Sequence, residues 1–155
     1  YSHNKRILIA HFHPFELYPP CMNMIRTFIS HDYCGVVVSS SCGRQCKNIE
    51  FGNNIRCVRT RSYMNPPTLK SSVRSYLDFA MRVRLELLVR EFEIVLFYEA
   101  VSYFLSYPRM FCKSQFFALH FHEYRTREES SRVSPFERIS DSWTFSDICI
   151  RGFYA

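Results

Sequence analysis

Residues 94–103, IVLFYEAVSY, contain an apolar run that ends abruptly in a polar cluster at Glu99. Two other segments share this pattern: RILIAHFH at residues 6–13 and FFALHFHEY at residues 116–124 both end in ionisable side chains. Each segment predicts a buried strand whose carboxyl end carries polar groups. In an open parallel α/β sheet, ligands bind in the crevice outside the carboxyl ends of the strands. We therefore expect one site that is assembled from three distant segments.

The remaining apolar runs complete an alternation of strands and helices. The predicted strands cover residues 6–12, 35–40, 54–60, 93–98 and 115–121, and the predicted helices cover residues 20–31, 68–91 and 100–106. This order predicts a Rossmann-like three-layer α/β sandwich with a mostly parallel sheet of about five strands. The link between the second and third of these strands is too short for an ordinary crossover helix. It predicts either a small irregular insert or an antiparallel strand.

The longest predicted helix, residues 68–91, has apolar residues at steps of three and four, which is typical of an amphipathic helix on a core. The positions assigned to its core face are Leu69, Val73, Tyr76, Leu77, Ala80, Met81, Leu85, Leu88 and Val89. The positions assigned to its solvent face are Lys70, Arg74, Asp78, Arg82, Glu86 and Arg90.

The length of 155 residues fits one domain with a real core, predicted over residues 1–125. The hydrophobic fraction of 47% predicts a folded chain. Residues 126–155 form a polar tail whose apolar positions predict a helix that packs back on the sheet. No apolar run approaches the length of a transmembrane helix, and the start lacks a secretory signal. We therefore expect a cytoplasmic protein, either free or associated with a membrane surface.

The formal charge of +6 comes mainly from 16 arginines against four lysines. Because these residues are scattered along the chain and form no single patch, we expect no nucleic-acid partner. They are interpreted either as solvated faces or as a preference for anionic partners such as phosphates or an acidic membrane surface. The seven cysteines do not match a zinc-site template. They predict free thiols in a reducing compartment, with a Cys42–Cys46 disulfide as the alternative.

The candidate ligand-binding residues are the polar groups at the predicted strand ends: His13, Glu99, His122 and Glu123. His120 and His122 are two apart on a strand, so their side chains share a face. Together with Glu123, His11 and His13 they could instead contribute to a zinc or iron site. In a third interpretation, one histidine of each pair is packed inside the core and satisfied by a backbone carbonyl. Glu99 either binds substrate hydroxyls or caps the short helix that follows it. No glycine-rich motif for a dinucleotide or phosphate is present in the chain.

The chain resembles the amino-terminal half of a glycosyltransferase with two facing Rossmann-like domains, the GT-B architecture, and in particular the bacterial family 4-like enzymes. The resemblance covers residues 5–124. It rests on the Pro19-Pro20 segment before the first helix, Glu99 after the fourth main strand and His122-Glu123 after the fifth. One departure is the sequence after the first strand, where Phe12-His13-Pro14-Phe15 replaces a glycine-rich turn.

The resemblance implies that these 155 residues are the acceptor-side domain of a nucleotide-sugar-dependent glycosyltransferase, which would be inactive alone. The expected partners are a sugar or glycolipid acceptor and a missing carboxyl-terminal domain. That second domain would bind the nucleotide-sugar donor, so no cofactor is expected in this chain. The resemblance identifies no catalytic residue. The alternative is a stand-alone Rossmann-like module that binds an anionic small ligand or a protein partner.

Overall fold

The computed structural model describes residues 5–41, 50–51, 54–61, 69–106 and 116–120. Its strands are β1 (Arg6–His11), β2 (Cys34–Ser40), β3 (Glu50–Phe51), β4 (Ile55–Thr60), β5 (Ile94–Tyr98) and β6 (Phe116–His120). Its α-helices are α1 (Pro19–Ser30), α2 (Leu69–Val89) and α3 (Ala100–Ser106), and a short 3₁₀ turn, Phe15–Leu17, precedes α1. The predicted tail, residues 126–155, and the cysteines of the alternative disulfide lie outside the described residues.

The sheet has the order β3-β4-β2-β1-β5-β6, and its last five strands are all parallel. The two-residue β3 pairs antiparallel with β4, which confirms the antiparallel alternative for the short link. This order is that of a doubly wound α/β sheet. The prediction of a Rossmann-like sandwich with about five main strands is therefore confirmed.

The central strand β1 is buried on both faces, because neighbouring strands and helices cover it. Leu8, Ala10 and Phe12 belong to a core that includes residues of α2 and α3. Ile7 and Ile9 point to the other face, where they join residues of α1. The two apolar layers give the three-layer sandwich. Among the described helices, none is long and apolar enough to cross a lipid bilayer.

A close approach between β1 and β2 explains the glycine at position 35. Gly35 pairs with Ile7, and a Cβ atom at position 35 would overlap the carbonyl oxygen of Ile7. Any side chain there would push the two central strands apart.

The predicted core face of α2 is wrong for most of its positions. Phe79, Val83 and Leu87 are the buried apolar side chains that face the sheet, together with Ala80. The assigned core residues Val73, Leu77, Met81, Leu85, Leu88 and Val89 are exposed. Glu86, assigned to the solvent face, is buried. Both faces of the helix carry apolar residues at helical spacing, so periodicity could not distinguish them.

The first helix ends in a backbone motif that usually contains a glycine, but no glycine is present at this position. Asp32 has a φ of 59°. Its N–H donates to the carbonyl oxygen of Ile29, and the N–H of Tyr33 donates to that of Phe28. The rings of Phe28 and Tyr33 are in contact at 5.0 Å between centroids. This is a Schellman motif, with aspartate in the position that glycine usually takes.

Candidate functional site

The candidate site lies at the carboxyl ends of β1 and β5. From β1 the chain passes through α1 to β2 on one side, whereas β5 lies on the other side of β1. In doubly wound sheets, this reversal of strand order opens a crevice where ligands bind. His11 ends β1 beside Tyr98, which ends β5. The polar residues that follow both strands therefore meet at the switch point of the sheet.

Glu99 connects β5 to α3 in a strained backbone conformation. Its φ is 67°, in the left-handed region that few non-glycine residues adopt. Such a conformation costs about 1–2 kcal/mol, and this kind of strain clusters at functional sites. The N–H of Glu99 donates to the carbonyl oxygen of His120 at 3.0 Å, so the end of β6 helps to hold the turn.

The carboxylate of Glu99 lies between two imidazoles. Oε1 is 3.7 Å from Nε2 of His11, and Oε2 is 3.6 Å from Nε2 of His13. These distances fall within ion-pair range but exceed the length of a direct hydrogen bond. The side chains of Glu99 and His13 are 29% and 31% exposed, so a ligand in the crevice can reach both.

His11 is the buried member of the site, with 1% exposure. Its ring lies 5.1 Å from that of Tyr18 and 5.9 Å from that of Tyr98, measured between centroids. Within the described part of the chain, neither ring nitrogen of His11 has a hydrogen-bond partner. A buried polar group in this condition costs about 1–3 kcal/mol. A ligand hydroxyl or a water molecule bonded to His11 would remove that cost.

Tyr98 forms the floor of the site. Burial raises the pKa of its hydroxyl, and Cys21 and Tyr18 raise it further. The phenol therefore stays protonated at neutral pH and can both donate and accept a hydrogen bond. The ring of His120, at the end of β6, lies 5.0 Å from that of Tyr98.

Two side-chain hydrogen bonds fix the segment that follows β1. The N–H of Phe12 donates to Oγ of Ser102 on α3 at 2.7 Å, and both residues are buried. Oγ of Ser39, on β2, donates to the carbonyl oxygen of His13 at 2.7 Å. These bonds hold the backbone of residues 12 and 13 from both neighbouring elements. His13 is therefore presented from a fixed loop.

A second polar cluster adjoins the site at the ends of β2 and β4. The Arg59 guanidinium lies over the ring of Phe15 at 4.3 Å and forms an ion pair with Glu16. It also donates to Oγ of Ser39 and to the carbonyl oxygen of Ser40. Burial lowers the pKa of Arg59. Because Glu16 neutralises it, Arg59 braces the loop after β1 and adds little net charge to the crevice.

The structure brings together two of the four predicted site residues, His13 and Glu99. The other two, His122 and Glu123, lie outside the described residues. Sequence analysis considered His11 either as part of a metal site or as a histidine satisfied within the core, and missed Tyr98 and Ser39. For His11 a signal was present, because residues two apart on a strand share a side and His11 lies two before His13.

The described residues contain no group of three or more His, Cys, Asp and Glu side chains arranged to hold a metal ion. Two members of the metal site considered from sequence, His122 and Glu123, are not among them. No protein-family model matches the chain, and a search of curated proteins finds no significant match.

Proposed function

We propose that the crevice binds a neutral, hydroxyl-rich ligand, and that this ligand is the sugar acceptor of a nucleotide-sugar-dependent glycosyltransferase. The observation that carries the proposal is the carboxylate of Glu99, which a strained turn holds between His11 and His13 at the switch point. Carboxylates accept hydrogen bonds from hydroxyls, and imidazole nitrogens can donate or accept them. A cluster of a carboxylate and two imidazoles can therefore hydrogen-bond several hydroxyl groups of a polyol.

The resemblance to the amino-terminal half of a GT-B glycosyltransferase implies the reaction of the complete enzyme. The domain would orient one acceptor hydroxyl toward the sugar carbon of a donor bound by a second domain. Rate then comes from orientation and from preorganised polar groups. The compartment implied is the cytoplasm. Within this half we propose that His13 and Glu99 bind the substrate, and the resemblance adds His122 and Glu123 to them.

The charge of the crevice favours this function over a module for small anions. A carboxylate between the two imidazoles repels an anionic ligand, and the nearby Arg59 is already paired with Glu16. A phosphate-binding site would instead present backbone N–H groups or arginines without a carboxylate among them. We therefore place the anion-binding module second.

The proposal is tested by isothermal titration of the 155-residue chain with a panel of methyl glycosides. We expect weak binding of at least one glycoside, because a cleft with one wall buries only part of its ligand. Glu99→Gln should weaken that binding about tenfold, because hydrogen bonds to a charged acceptor are the stronger ones. Glu93→Gln is the matched control, since Glu93 is exposed at the opposite end of β5.

Two results would count against the proposal. One is an unchanged affinity in Glu99→Gln. The other is the absence of heat with every glycoside while inorganic phosphate binds, which would favour the anion-binding module.

A further inference from the structure

The outer face of α2 carries a stripe of exposed apolar side chains, here called the α2 stripe. Its members are between 48% and 69% exposed: Val73, Leu77, Met81, Leu85, Leu88 and Val89. They repeat at steps of three and four over four turns, so they form a continuous strip along the helix. The strip covers an area on the order of several hundred Å², at the upper end of what monomers expose.

The α2 stripe has no role in the core of the described fold. The opposite face of the helix already buries Phe79, Val83 and Leu87 against the sheet. One apolar face is enough to hold a helix on a sheet. The second apolar face points to an interaction.

Arginines accompany the stripe. With about 3.6 residues per turn, Arg74 and Asp78 fall within the strip, Arg84 falls near one edge and Arg82 falls beyond the other. Nε of Arg84 donates to the carbonyl oxygen of Ser106 at 3.0 Å, and the rest of its guanidinium carries the charge at that edge. The exposed acidic residue on this part of the helix is Asp78, which accepts a hydrogen bond from the backbone N–H of Arg61 at 2.8 Å. The face is therefore apolar and cationic.

A cluster of three arginines at the edge of α2 adds to this charge. The guanidinium groups of Arg56, Arg82 and Arg90 lie 3.1, 2.8 and 3.5 Å from the carboxylate of Glu86. Glu86 is buried, whereas the three arginine side chains are 34–48% exposed. Three positive charges against one negative charge leave an excess of two positive charges. Because the three arginine side chains are partly exposed, they can contact anions.

We propose that the outer face of α2 docks on a lipid bilayer that contains anionic headgroups. The α2 stripe enters the boundary between headgroups and acyl chains, and the flanking arginines contact lipid phosphates. A second copy of this chain fits less well, because it would bring two cationic faces together and a single strip is smaller than the surface of a standard dimer. This inference is independent of the proposed acceptor site, since none of its residues belongs to the crevice.

The test is flotation of the 155-residue chain with phosphatidylcholine vesicles made with and without phosphatidylglycerol. We expect binding to the anionic vesicles and loss of most of it in high salt. Met81→Gln should lower the partition coefficient about tenfold through lost apolar burial. Arg74→Gln should lower it about fivefold, because each arginine near an anionic surface contributes about 1 kcal/mol.

Matched controls lie on α1, on the other face of the sheet. Met24→Gln and Arg26→Gln make the same changes at exposed helical positions and should leave binding unchanged. Circular dichroism checks that all four variants fold. Equal effects of the α1 and α2 variants would overturn the proposal, as would no flotation with either vesicle. Self-association that Met81→Gln abolishes, without vesicle binding, would overturn it in favour of a dimer.

Discussion

Two residues in the described chain, Asp32 and Glu99, have a positive φ without being glycine, and they have different causes. Asp32 closes the Schellman motif at the end of α1, where the conformation satisfies helix carbonyls. Glu99 has its conformation at the switch point, where a glycine would be less strained but would carry no carboxylate. The sequence retains the more costly residue at the site where its side chain meets two histidines.

Replacing both residues separately by glycine distinguishes structure from function. Asp32→Gly and Glu99→Gly should each raise the free energy of unfolding by about 0.5–1 kcal/mol, because glycine adopts this conformation without strain. Only Glu99→Gly should abolish glycoside binding. Urea unfolding and titration calorimetry measure the two effects. Retained binding in Glu99→Gly would remove Glu99 from the site.

The glycine at position 35 is required by packing alone in this fold, because the close approach of β1 and β2 leaves no room for a side chain there. Gly35→Ala should lower the free energy of unfolding by about 2 kcal/mol or more, because the new methyl group overlaps backbone that cannot move aside cheaply. Urea unfolding of the variant measures the change. A loss below about 0.5 kcal/mol would mean that β1 and β2 can separate without cost, contrary to their close register.

At the scale of elements, α2 shows the limit of sequence analysis. The strands could be predicted because apolar runs that end in polar residues have one interpretation in a parallel sheet. The orientation of α2 could not, because Phe79, Val83 and Leu87 and the exposed leucines both follow helical spacing. Only part of the candidate site could be predicted from the sequence. Strand ends identify His13 and Glu99, but the turn that joins them depends on tertiary pairing.

Two leucines on α2 test its orientation directly. Leu87→Ala should lower the free energy of unfolding by about 2–4 kcal/mol, because Leu87 is buried against the sheet. Leu85→Ala should change it by less than about 1 kcal/mol, since Leu85 is exposed. The two substitutions are chemically identical and two residues apart. Equal losses in urea unfolding would contradict the observed orientation of the helix.

At the scale of the whole molecule, the buried Cys21 thiol and Tyr98 hydroxyl make the free energy of unfolding depend on pH in the alkaline range. Burial, with smaller contributions from Cys57 and Glu99, raises the pKa of Cys21 to about 12, and burial also raises that of Tyr98. In both cases the folded state holds its proton to higher pH than the unfolded state does. Stability is therefore fully present below the unfolded pKa and is lost as pH rises above it.

We expect the free energy of unfolding to fall as the pH rises from about 9 toward 12, and to fall less steeply in Cys21→Ala. Urea unfolding across that range measures both slopes. Cys34→Ala is the control, because Cys34 is a free thiol at the partly exposed start of β2. If Cys21→Ala kept the slope of the parent chain, Cys21 would contribute nothing to alkaline unfolding.

We propose that a polyol occupies the crevice at the switch point of the described sheet. The most direct measurement is NMR of the imidazole nitrogens during titration with methyl glycosides. We predict that the signals of His11 and His13 shift together with saturation, while that of His31, exposed after α1, stays unchanged. Saturable glycoside binding that leaves the His11 and His13 signals in place would contradict the account.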